Sequence, residues 1–143
     1  MRKYGKVSEI DSENLMYRVI RDVLSKNEFS KYDVVMHVPL RMILSDFQKL
    51  NARELSFASN QLTHVDFLVF SRLTHQSLLV IEVDGFAYHS SEKQQERDQV
   101  KNTILQKYNI PILRFSTVDS GEEEKLINVL NGINESKPEE SLC

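Results

Sequence analysis

The sequence predicts an α/β domain, a mixed central sheet of about four strands flanked by helices. Three observations predict it. Short, apolar, β-branched runs ("DVVMHV", "HVDFLVF", "SLLVIEVD" and "IPILRF") read as strands. The second and third are joined by only "SRLTHQS", which suits an antiparallel hairpin. The third and fourth are separated by "SSEKQQERDQVKNTILQKY", long enough for a helical crossover to a parallel strand.

Taken in order, the first helix is expected from about Ser12 to Lys26. Leu15, Val19, Ile20 and Val23 recur there at helical spacing, and Asp11 or Ser12 serves as cap. A strand over about 33–38 ends at Pro39. "LRMILSDF" reads as a short helix, and "NARELSFASNQL" as either helix or loop. After the hairpin, Ser91 with Gln94 fits a capping box at the crossover helix. That helix carries its apolar stripe, Val100, Ile104, Leu105 and Tyr108, in its second half only. The last helix, "GEEEKLINVLNGI", has acids in its first turn, where the helix dipole favours them. A single domain is expected over 11–134, between a flexible N-terminus (1–10) and the polar tail "ESKPEESLC" (135–143).

The 143 residues suit one domain, and 41% hydrophobic residues suffice for a core. No apolar run reaches the roughly 18–20 residues that span a bilayer, and the N-terminus lacks a secretory apolar region. The single cysteine, Cys143, excludes an internal disulfide framework and a cysteine zinc site. A cytoplasmic protein without membrane contact is expected. Net charge is −3, with a pI of about 5.8. Binding to nucleic acid therefore requires a local basic patch, a neighbouring domain or a partner.

Against this background, carboxylates inside apolar strands stand out. Glu82 and Asp84 are two apart and share a strand face. A hairpin centred on Thr74 sets Asp66 opposite Glu82. Like charges so placed repel, and a hard divalent cation between them relieves the repulsion. The plainer reading is a solvated face, with Asp84–Gly85 making an ordinary turn. Other chemistries find no motif. There is no Gly-rich phosphate loop and no G-x-S-x-G elbow, and the first acid of "EVDGF" is Glu where a phosphatase signature needs Asp.

"VDF" on one strand, "IEVDG" on the next, His89 nearby, then "ERDQVKN" and "NIPILRF", taken in this order, resemble the PD-(D/E)XK restriction-endonuclease-like superfamily. The similarity is nearest to its very-short-patch-repair branch, which includes domains fused to bacterial helicases, and it spans about Glu13 to Leu130. The resemblance implies a restriction-endonuclease-like core and a Mg²⁺ or Mn²⁺ site. Asp66 and Glu82 would be its ligands, joined by the Val83 carbonyl and by Glu13 from the first helix. Asp84 stands where the family name places a Lys, so the helix after it must supply the cation. Lys101 is the first choice, followed by Lys93 and Arg97, which lies four residues from Lys101 and shares its face. His89 would act as acid or base or hold a phosphate. Lys93, Gln94, Gln95, Arg97 and Arg114 would contact nucleic acid. His37, His64 and His75 show no partner pattern and read as structural.

Three functions stay open at this level, the plainest being a purely structural domain that caps a larger enzyme. Another is a metal-dependent DNA endonuclease that works alone or beside a helicase or other DNA-processing protein. The third is a decayed nuclease fold that binds nucleic acid or a protein partner.

Overall fold

The computed structural model describes residues 11–83, 92–115 and 121–136. Its elements run α1 (Asp11–Leu24), β1 (Tyr32–Pro39), α2 (Ala52–Ser59), β2 (His64–Ser71), β3 (Ser77–Val83), α3 (Glu92–Lys107), β4 (Ile112–Phe115) and α4 (Glu122–Ser136). The four strands form one mixed sheet in the order β1-β2-β3-β4. β1, β2 and β3 pair antiparallel in sequence, and β4 joins β3 in parallel after the α3 crossover. Both connections are those expected from the loop lengths.

Helices cover the two faces. On one, α1 and α4 bury Met16, Ile20, Val23, Leu126 and Leu130 against Phe67, Val69, Leu79 and Ile81. On the other, Ala58 of α2 and Ile104 and Leu105 of α3 pack on Val65, Leu68 and Val80. Among the described residues no helix is long and apolar enough to cross a membrane.

Several local expectations change. α1 begins at Asp11, so Asp11 and Ser12 lie within its first turn and do not precede it as caps. Its deepest stripe runs through Met16, Ile20 and Val23, while Leu15 and Val19 are half-buried, because the helix touches both the sheet and α4. "LRMILSDF" shrinks to one 3-10 turn, Leu40–Met42. The ambiguous "NARELSFASNQL" contains a true helix, α2, fastened by a capping box. The Asn51 side chain accepts from the Glu54 N–H at 2.8 Å, and Glu54 accepts from the Asn51 N–H at 2.9 Å. Ser91 lies outside the described residues.

One irregularity positions the site. The β1–β2 register pairs Met36 with Phe67 and Val38 with Val65, and no pairing is made at the step between them, where His37 faces Asp66. His37 adopts a left-handed backbone, φ 55°. Val34 and Met36 pack into the α1/α4 core, but Val38 packs into the α2/α3 core. Likewise Phe67 and Val69 lie on the first side and Val65 on the second. Residues two apart on a regular strand share a face, so the ribbon turns over at His37 and Asp66.

Candidate functional site

The site grows from that turnover. On the hairpin, Phe67 pairs with Ile81 and Leu68 with Val80. One further step along the same register sets Asp66 opposite Glu82, as the hairpin spacing predicts. The strands have begun to part here, and the Asp66 side chain takes over from the ladder: the N–H of Val83 donates to Asp66 Oδ2 at 2.9 Å.

Asp66 stands between acids from both layers. Glu13 is only 4% exposed. It extends the buried α1 stripe of Met16, Ile20 and Val23 to the helix's first turn, which drives its carboxyl into the end of the core. Its carboxyl lies close enough to that of Asp66 to influence its proton. Glu82 lies on the other side, 5% exposed. Burial is the largest influence on Asp66 and disfavours its charge. The Val83 N–H opposes this, while the charges of Glu82 and Glu13 reinforce it. The balance pushes the Asp66 carboxyl up to about 7.

Glu82, in contrast, is compensated. Lys101 Nζ donates to its Oε2 at 2.8 Å and to the His64 carbonyl at 2.9 Å. Arg114, its register neighbour on β4, donates to its Oε1 at 3.1 Å. The same guanidinium reaches Asn102 and lies 3.7 Å from Asp98. Gln94 steadies Asp98 through a 2.9 Å bond.

His37 completes the arrangement. Its Nε2 lies 3.1 Å from Glu13 Oε1, and its ring centroid is 5.5 Å from that of His64. A left-handed backbone at a non-glycine residue costs about 1–3 kcal/mol and tends to occur where function holds it in place. The sequence showed no partner pattern for His37; the structure gives it one in Glu13. No local motif marks it; the usable signal was the strand register, which sets position 37 against Asp66.

The structure thus brings together Asp66, Glu82, Glu13, Lys101 and Arg114. Val83 joins them through its N–H. Asp84 and His89 lie outside the described residues. Gln94 stands at the edge of the cluster, and Lys93 and Gln95 are exposed on α3. Arg97 does not accompany Lys101, contrary to the shared-face expectation. Its guanidinium lies over the Phe57 ring, 5.9 Å from the centroid. There it lines an open groove of about 400 Å³ between α2 and α3, with Arg53 and Asn60.

Oxygen donors for a cation are present in Asp66 and Glu13, which lie side by side. Glu82 is adjacent, but both of its oxygens are held by cationic side chains. Among the described residues no group of three or more acidic, imidazole or thiol side chains is arranged to hold a metal ion as it stands.

Fold and site together define a mixed α/β domain with a buried carboxylate cluster at one end of its sheet. The chain belongs to the DUF2726 family, described as proteins of unknown function, whose model matches residues 10–133. No curated protein and no solved structure matches the chain.

Proposed function

We propose that this chain is a metal-dependent DNA endonuclease of the restriction-endonuclease-like kind, hydrolysing phosphodiester bonds with Mg²⁺ or Mn²⁺. The observation that carries the reading is Lys101. In the sequence, Asp84 stands where the family has its lysine, and a lysine from α3 reaches the strand acid instead, 2.8 Å from Glu82.

The donor set fits a hard cation, because Asp66 is an under-compensated carboxyl whose nearest acidic neighbours raise its proton affinity. Asp66 and Glu13 would hold the ion, with Glu82 beside them in contact with Lys101. A bound Mg²⁺ or Mn²⁺ supplies an acidified water and charge stabilisation at phosphorus. Lys101 then neutralises a phosphate oxygen in the transition state. Arg114, held by Asn102 and Asp98, keeps Glu82 oriented. Arg97 and Arg53 in the α2–α3 groove would follow the DNA backbone, the two cations outnumbering the one acid, Glu96, that lines the groove with them. The reading includes a cytoplasmic setting and a helicase or other DNA-processing protein as partner.

A second reading has one observation in its favour. With both Glu82 oxygens engaged by Lys101 and Arg114, the cluster also has the form of a closed structural ion-pair network, as in a decayed nuclease fold that only binds.

The deciding experiment is cleavage of labelled single-stranded, duplex and branched DNA in Mg²⁺, Mn²⁺ or EDTA, for wild type, Asp66→Ala and Glu82→Ala. Cutting that requires metal and vanishes in both variants supports the enzyme. Absence of cutting, with variants as stable as wild type in metal, makes the binding module the better reading.

A further inference from the structure

We propose that His37 is a positioning residue for the carboxyl pair. It acts through Glu13, whose carboxyl it holds against Asp66, and the turnover of the β1–β2 ribbon exists to place it there. The inference rests on the reading of Glu13 and Asp66 as the ion-holding pair.

The argument begins with the backbone. An ordinary strand residue at position 37 would pair with Asp66 and leave the ribbon flat. The observed φ of 55° breaks that step while the register on both sides continues unchanged. This position lies inside a strand, where a left-handed residue interrupts the ladder, and histidine enters that region more readily than most non-glycine residues. What sets His37 apart from His75, also left-handed at φ 63° but in the hairpin turn, is what its side chain reaches.

What it reaches is the one acid of the cluster that lies on a helix. Glu13 is buried, and its carboxyl has two neighbours of opposite demand. His37 Nε2 lies 3.1 Å from Oε1, and the Asp66 carboxyl lies beside it. A glutamate has three side-chain torsions, and in the first turn of a helix it has room to turn outward. The imidazole removes that freedom. Its ring is itself braced by the His64 ring at 5.5 Å, and the His64 carbonyl receives Lys101. His37 and Lys101, which approach different acids, are thereby tied to one residue.

The test is Mn²⁺ binding to the DNA-free protein, followed by calorimetry and by the metal-induced rise in melting temperature, with Mn²⁺ alone as probe. The variants are His37→Gly, Glu13→Gln and the double variant. His37→Asn is measured beside them, since asparagine also accepts a left-handed backbone. His37→Gly and His37→Asn should fold in EDTA and bind Mn²⁺ about tenfold more weakly, the scale on which outer partners of metal ligands act. The double variant should bind no more weakly than Glu13→Gln alone, because His37 works only through Glu13. If both His37 variants bind as wild type does, or if the two losses simply add, the positioning role is overturned while the ion site stands. If wild type takes up no Mn²⁺ at millimolar concentration, the ion-site reading itself falls and this inference with it.

Discussion

Lys101 Nζ lies 2.8 Å from Glu82 Oε2 and 2.9 Å from the His64 carbonyl, so one side chain of α3 fastens two adjacent strands where they begin to part. The ammonium is well shielded, with its side chain 12% exposed. Four predictions follow from this site and its surroundings.

Lys101→Met should cost about 1–3 kcal/mol in urea unfolding, because Glu82 keeps Arg114 but loses its other cation. Cleavage of DNA should disappear in the same variant. A variant that loses stability but cuts at the wild-type rate would show that Lys101 only holds the strands.

Asp66→Asn should stabilise the metal-free protein at pH 8 and leave it nearly unchanged at pH 4. Burial and the neighbouring acids raise the folded carboxyl to about 7, whereas the unfolded value is roughly 3.9. The folded state therefore binds the proton more tightly between these limits. Stability falls as pH rises from the unfolded value through the folded one, and the whole penalty is present above it. Its size is on the order of 4 kcal/mol. Urea melts across pH in EDTA measure it. Added Mg²⁺ at pH 8 should reverse the order, stabilising wild type and not the variant.

Glu54→Ala should destabilise by about 1–2 kcal/mol without altering metal binding, since Glu54 closes the α2 capping box and also accepts from Lys107. The Lys107 bond, then the Asn51 N–H, hold the Glu54 carboxyl below its ordinary value. Its contribution is thus present above the unfolded glutamate value, roughly 4.3, and is lost as pH falls through the folded one. Melts of wild type and variant should converge in acid.

Arg97→Ala should weaken DNA binding to the same degree for every sequence and lower the salt slope by roughly 1, as expected for a phosphate contact. Folding stability should change by less than about 0.5 kcal/mol, because the residue is exposed. An unchanged salt slope would remove the α2–α3 groove from the path of DNA.

Much of this site is legible in the chain. Alternation and a short link suffice to bring Asp66 near Glu82, but a register shift between Val69 and Phe70 is what sets the two opposite: the tip pair Phe70–Ser77 alone would carry Asp66 to Ile81. Helical spacing also exposes Glu13, once Met16, Ile20 and Val23 are recognised as the deep stripe and Leu15 and Val19 as its flank. The same logic misplaces Arg97. A shared helix face leaves open which neighbour each side chain finds, and Phe57 draws Arg97 away from Lys101. The capping box of α2 was present as Asn51 and Glu54, but a helix of eight residues has too few apolar positions to declare itself.

By itself the sequence determined the strands, the hairpin, the crossover and the two acids Asp66 and Glu82 on neighbouring strands, because each depends on neighbours close along the chain. Only the tertiary structure decided which cation meets Glu82, that Glu13 comes beside Asp66, and that His37 stands against Glu13. These depend on how two helix layers close on the two faces of one sheet. The turnover at His37 is a local break in periodicity, and a pattern of periods cannot announce its own exception.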